Sequence, residues 1–238
     1  MKSRFSRKDF LEALFGEYVS KRDGFVRVMT VRHYDRKIST RYFPKLETLA
    51  KEIYPENQHV LFGVCPHENM KADKANIRYL VALWAGLDLS PDGFSGKTLY
   101  FKDMGYAAKA VRSFPLPPSI VVESGWGVHL YWLLKTITEV HEPQHIETLL
   151  TSISEYFQCK RPIPLDSVLR LPDTFNGKQQ SATVKCAVKY LNTEFRYDLA
   201  DFEQLKLLSI DANATPVTDH IPAESVVVQN IEGLAVPD

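Results

Sequence analysis

The sequence predicts an α/β or α+β fold built on a mixed sheet. Apolar runs of strand length alternate with amphipathic helical stripes along most of the chain. The 238 residues are 45% hydrophobic and 24% charged, with 11 Gly and 14 Pro, so the chain can bury one large core or two small ones. No apolar run reaches the roughly 20 residues of a membrane helix, and the charged start, Met1 to Asp9, lacks the apolar centre of a secretory signal. Three cysteines, Cys65, Cys159 and Cys186, form no CxxC pair and no even-numbered disulfide framework. A reducing cytoplasm is therefore the expected location, with no membrane partner.

Ser6 and Asp9 resemble a capping box that opens a helix, with Phe10, Leu11, Leu14, Phe15 and Tyr18 on one stripe. Residues 25–31 alternate as a half-buried strand. Pro44 can start a second helix whose buried face is Leu46, Leu49, Ala50 and Ile53. Strands are expected at 60–64 and 80–89, then a charged, Gly-containing loop at 90–97. A helix from Met104 to Phe114 stops at Leu116-Pro117-Pro118 and leads into a strand at 120–122. Residues 128–134 read as the next strand, and Ile146, Leu149, Leu150, Ile153 and Phe157 as one face of a long helix. Two late strands, near 168–171 and 183–190, close the folded body, which is expected to span 1–208. Residues 209–238 read as a linker or tail, although Val226–Val228 has the character of an edge strand.

Net charge is zero, 29 basic against 29 acidic residues, which on its own argues mildly against nucleic-acid binding. The sum hides a gradient. Residues 1–50 hold twelve Lys and Arg against six acids, and residues 206–238 hold one Lys against five. A body with a basic face is compatible with that gradient, as is a solvated mixed surface.

Three segments carry chemistry. In Trp84-Ala85-Gly86-Leu87-Asp88-Leu89-Ser90, strand alternation puts Leu83, Ala85, Leu87 and Leu89 on one face and Trp84, Gly86, Asp88 and Ser90 on the other, less well packed one. Asp88 is either a loop anchor or a metal ligand, because a carboxylate there is costly to bury alone. Ser124-Gly125-Trp126-Gly127-Val128-His129 reads as a tight turn between strands. It is either a hairpin with a structural His or a cradle of amides, hydroxyl and imidazole for a phosphate. It is not the dinucleotide fingerprint, since no helix follows the glycines. Asp166-Ser167-Val168-Leu169-Arg170-Leu171-Pro172-Asp173-Thr174-Phe175-Asn176-Gly177-Lys178 sets an acid and two cations in one strand-and-loop unit. Those charges can form surface ion pairs, or hold a triphosphate and its metal.

In this order the three segments resemble the motifs of the primase–polymerase branch of the archaeo-eukaryotic primase superfamily. That family shows an acidic pair on a strand, Ser-Gly-x-Gly-x-His, and an acid leading into Arg-Leu-Pro-Gly-Thr-x-Asn-x-Lys. Similar segments of plasmid and phage primase domains are Phe10–Phe15, Phe62–Pro66 and Phe114–Val122, so the likeness covers roughly residues 7–205. The chain departs from the pattern twice. Only one Asp stands on the first strand. We read Asp88 as the first acid with Ser90 in the place of the second; the other register puts Gly86 in the place of the first. Asp173 replaces the turn Gly, and Asp tolerates the left-handed conformation better than most residues.

The resemblance implies a primase catalytic fold with an RRM-like half, and a template-dependent DNA primase or polymerase acting by two-metal phosphoryl transfer. Asp88 and Asp166, weakly assisted by Ser90, would hold Mg²⁺ or Mn²⁺. His129 would join the two acids in catalysis, and Ser124, Gly125, Gly127, His129, Arg170 and Lys178 would bind an NTP or dNTP. Arg27, Arg32 and Arg41, near Tyr42 and Phe43, would track single-stranded DNA. A helicase domain or protein downstream is a further expected partner. The missing acid keeps a rival reading open, a catalytically weak nucleotide- and nucleic-acid-binding module of replication or defence. Cys65-Pro66-His67 has no second cysteine pair and reads as a buried thiol rather than zinc.

Overall fold

The structure is a computed structural model and describes residues 4–21, 24–89, 94–95, 98–99, 101–159, 164–179 and 182–210. Helix α1 (Arg7–Lys21) opens on the expected cap: the Ser6 N–H donates to Asp9 Oδ2 at 2.7 Å, and the Asp9 N–H to Ser6 Oγ at 3.3 Å. Strands β1 (Val26–Arg32) and β2 (Ile38–Phe43) form a hairpin, followed by the short helix α2 (Leu46–Lys51) and strand β3 (Gln58–Gly63). After β4 (Tyr79–Asp88) come the two-residue strands β5 (Phe94–Ser95) and β6 (Thr98–Leu99), then α3 (Met104–Ser113). Strands β7 (Ile120–Glu123) and β8 (Gly127–Glu139) precede α4 (Pro143–Tyr156). The chain continues through β9 (Val168–Arg170), β10 (Phe175–Gln179), β11 (Ala182–Lys185), β12 (Ala187–Leu191) and β13 (Arg196–Tyr197) to α5 (Leu199–Ile210).

Two larger sheets organise most of these elements, beside the two-stranded antiparallel pairs β5-β6 and β10-β11. One is four-stranded and antiparallel, in the order β2-β1-β3-β9. The other is mixed: β8 carries antiparallel β4 on one edge, and antiparallel β7 followed by parallel β13 on the other, with β12 outside β7. Helix α1 sits where the sheets meet. Its Phe10 ring lies 5.4 Å edge-on from Phe62 of β3 and 5.4 Å from Tyr131 of β8. The whole predicted α1 stripe is buried. Strand β4 is buried on both faces as far as Ala85, Leu83 and Trp84 alike at 0% exposure. Beyond it Leu87 stays buried while Gly86 is half-buried and Asp88 exposed, so the Gly86–Asp88 face is the less packed one at the strand's end. Among the described residues no helix is long and apolar enough to cross a membrane.

The chain departs from sequence expectation at α2, at β2 and in the late strands. Helix α2 ends at Lys51, so Ile53 lies beyond it and is 89% exposed rather than buried. Strand β2 is an edge strand whose polar residues, Ser39, Thr40 and Arg41, hide the apolar alternation that marks β1. The expected strand at 183–190 is two strands, divided at Cys186, whose N–H and carbonyl pair with Thr174 and Asp173. Helix α5 carries the described chain to Ile210; the expected tail segments 211–219 and 226–228 lie outside the described residues.

Candidate active site

The Ser124–His129 segment is the β7–β8 hairpin. Ser124 N–H donates to the Gly127 carbonyl at 2.8 Å, so this amide closes the turn and is not among the free donors expected there. Gly125 has φ +93, and a Cβ on it would lie 3.0 Å from Asn176 Cβ and 3.3 Å from Val184 Cβ. Gly127 pairs with Asp88 across β4–β8, and a Cβ there would meet the Leu87 carbonyl oxygen at 2.4 Å. Both glycines are therefore demanded by close packing. Asn176 Nδ2 donates to the Ser124 carbonyl at 2.7 Å, which ties the second motif to the third.

The β4–β8 register places Gly86 opposite His129 and Trp84 opposite Tyr131. Gly86, Asp88, His129 and Tyr131 thus share one face, turned toward α1 and β3 where Tyr131 meets Phe10 and Phe62. His129 Nδ1 is sealed from solvent without a hydrogen-bond partner among the described residues. Burial, and then the charge of Arg170, pushes this imidazole down to about 3. It is neutral at physiological pH.

The four-stranded sheet supplies the cationic side of the site. Pairing of Arg170 with Leu61, Leu61 with Met29 and His59 with Val31 puts Arg170, His59, Arg27 and the following His33 on one half-exposed face. Arg170 Nη1 donates to His59 Nδ1 at 2.8 Å, and the His33 and His59 rings lie 4.3 Å apart. A Cβ at Gly177 of β10 would lie 2.5 Å from His33 Cε1, so the ring rests on that glycine. Arg27 and Arg170 form no ion pair among the described residues. Burial lowers Arg170 from its ordinary value, and among the described residues no carboxylate acts against that shift. Arg32 and Arg41, expected with Arg27 on a nucleic-acid track, are instead paired with Asp35 and Glu52.

The third motif keeps its turn without the usual glycine. Asp173 takes φ +59, the left-handed conformation, and repays it locally. Its carboxylate accepts from the first N–H of α1, at Arg7, at 2.8 Å and pairs with Lys185 Nζ at 3.0 Å. The buried Arg7 side chain then donates to the carbonyls of Pro172 at 2.9 Å, Asp173 at 2.9 Å and Glu52 at 2.6 Å. Sequence reading missed Arg7, His33 and His59, because none stands in a motif and only strand and turn pairing brings them to the site.

Asp88 ends β4, exposed, and Asp166 stands in the turn before β9, near enough to act on Cys65 and His67. Neither has an ion-pair partner among the described residues, and both offer the hard carboxylate oxygens that Mg²⁺ and Mn²⁺ take. No three His, Cys, Asp or Glu side chains of the described residues gather to hold a metal. Asp88 lies near Cys159 and Asp166 near Cys65 and His67, and each acid by itself offers oxygens of the kind a metal shares with phosphate and water. Ser90 and the Lys178 side chain lie outside the described residues. Cys65 is buried, and burial pushes its thiol up, away from the thiolate a zinc site needs.

This arrangement of sheets has solved counterparts. The primase–polymerase AEP domain of cyanophage S-2L superposes with a TM-score of 0.59 over 82% of this chain and 94% of that one, at 16% identity. The chain has an archaeo-eukaryotic primase fold. The RepB′ primase matches with a TM-score of 0.53 over 87% of this chain and 64% of its own length, at 10% identity. The catalytic domain of that primase, in complex with initiator DNA, matches with a TM-score of 0.51 over 89% and 99%, at 9% identity. No protein-family model matches the sequence, and no curated protein does.

Proposed function

We propose that this primase fold is a template-dependent nucleotidyltransferase, a DNA primase or polymerase working on single-stranded DNA, with its catalytic domain within residues 1–208. The observation that carries the reading is Arg170, a half-buried guanidinium with no carboxylate partner among the described residues, held against His59 and close to neutral His129. A desolvated cation of this kind calls for an anion, and a fork of N–H donors matches phosphate. An NTP or dNTP triphosphate is the anion that a primase fold handles. The primer hydroxyl attacks its α-phosphate and pyrophosphate leaves, so catalysis is positioning and charge stabilisation.

In this reading the Ser124–Gly127 hairpin shapes the wall of the phosphate site, and His129 donates a hydrogen bond to phosphate without carrying charge. Arg170 neutralises the triphosphate, with Lys178 following it in β10. Asp88 and Asp166 would hold Mg²⁺ or Mn²⁺, which supplies Lewis-acid stabilisation of the attacking and leaving oxygens. Arg27, facing the same way as Arg170, meets the template or primer backbone.

Primer extension and de novo priming on single-stranded DNA, with Mg²⁺ and with Mn²⁺, test the assignment. The wild-type chain should incorporate nucleotide, and Arg170→Ala should lower incorporation by about ten- to a hundredfold. A wild-type chain that binds triphosphate and DNA but incorporates nothing in either metal would leave the non-synthesising binding module as the function.

A further inference from the structure

We propose that His33 and His59, from the four-stranded sheet, complete the phosphate site around Arg170 and contact the distal phosphates of the bound triphosphate. The proposal rests on the triphosphate reading above and extends it to two residues outside the three motifs. Its basis is geometric. Arg170 can only donate, so His59 Nδ1 must be the acceptor of their 2.8 Å bond, and the ring proton sits on Nε2, directed away from Arg170. His59 is thereby both the group that orients the guanidinium and a donor beside it. His33 stacks 4.3 Å from His59 and rests on Gly177, and its Nε2 is buried without a partner among the described residues.

Among the described residues, the charged and titratable groups that face the pair are Arg170 from β9, Arg36 from the hairpin turn, and each histidine toward the other. All are basic, and no carboxylate among the described residues acts on either ring. Both imidazoles are held below their ordinary value, by burial first and then by Arg170. A triphosphate reverses the sign of that field, so the protonated form of His33 becomes the favoured one. Binding is therefore linked to proton uptake from solution, and affinity rises as pH falls through neutrality.

Isothermal titration of the full chain with an NTP and Mg²⁺, at about pH 7 in two buffers of different ionisation enthalpy, reads the uptake directly. The wild-type chain should take up a measurable fraction of a proton per triphosphate. His33→Asn should abolish the uptake and weaken binding by about tenfold, with the melting temperature confirming that the hairpin still folds. His59→Gln, which keeps an acceptor for Arg170, should retain more affinity than His59→Ala. Tight triphosphate binding with no proton uptake, or uptake unchanged in His33→Asn, overturns this inference and leaves the proposed function standing. Absence of any triphosphate binding by the wild-type chain overturns both.

Discussion

Arg170 and His59 are joined by a 2.8 Å hydrogen bond from guanidinium to Nδ1, and that bond requires a neutral imidazole. Burial, then Arg170, then His33 and Arg36, push His59 down to about 4. Burial and Arg170 likewise push His129 down to about 3.

These depressed values make stability depend on pH with a definite sign. Between about pH 6.5 and the folded values the unfolded chain binds more protons than the folded one, so stability rises with pH in that window. It is fully present above about pH 6.5 and is lost as pH falls toward 4. Each ring contributes a slope of at most about 1.4 kcal/mol per pH unit, less for the more exposed His59. Urea midpoints measured from about pH 7 down to 4 should fall accordingly, and His59→Asn should flatten part of the slope. A midpoint independent of pH across that window contradicts the buried, neutral assignment.

Arg7 and Asp173 make a separate prediction. Arg7→Met keeps the buried stem but leaves three carbonyls short of a donor, so it should cost about 3–5 kcal/mol in chemical denaturation. Asp173→Ala keeps the left-handed strain and loses the helix contact and the Lys185 pair, at about 1–3 kcal/mol. Asp173→Gly relieves the strain and should be milder than Asp173→Ala. Equal losses for Ala and Gly would show that the backbone at 173 is not strained.

The basic face predicts how single-stranded DNA binding responds to mutation. Arg27 is half-buried with no ion pair among the described residues, and its strand neighbour Tyr42 shares its face. Arg32 is exposed and already satisfied by Asp35. Arg27→Ala should weaken binding and reduce the salt slope by about 0.7, the release of one phosphate contact on a single strand. Arg32→Ala should change little. Fluorescence anisotropy over a salt series checks both, and the reverse ranking would move the DNA track to the hairpin tip.

Much of this was legible in the sequence because it is local. The cap at Ser6–Asp9, the α1 stripe, the two-glycine hairpin and the left-handed turn at Asp173 each follow from neighbouring residues. The four-stranded sheet was not legible as a site, because His59 meets Arg170 only through the pairing of β3 with β9, and His33 meets both only through the β1–β3 register. Strand β10 was hidden for a different reason. Its Phe175-Asn176-Gly177 start reads as a loop by composition, yet Asn176 and Gly177 are held by Ser124 and His33.

The last prediction concerns the single acid on β4. A Cβ at Gly86 would lie 3.7 Å from His129 Cδ2, ordinary contact distance, so Gly86→Asp should fold. Its carboxylate would then stand beside His129, within reach of the field of Arg170. There it competes with phosphate, so nucleotide affinity should drop by about tenfold or more, and the His129 imidazole should titrate higher in NMR. Ser90→Asp adds an acid two residues beyond Asp88 in the sequence, where the resemblance puts the second acid of the pair. It should raise Mg²⁺-supported incorporation relative to Mn²⁺, because Mg²⁺ is the more demanding of oxygen ligands. Asp88→Ala should abolish incorporation in both metals. If Gly86→Asp restores Mg²⁺ activity and Ser90→Asp does not, the missing acid is the first of the pair rather than the second. Full activity in Asp88→Ala would remove Asp88 from the metal site altogether.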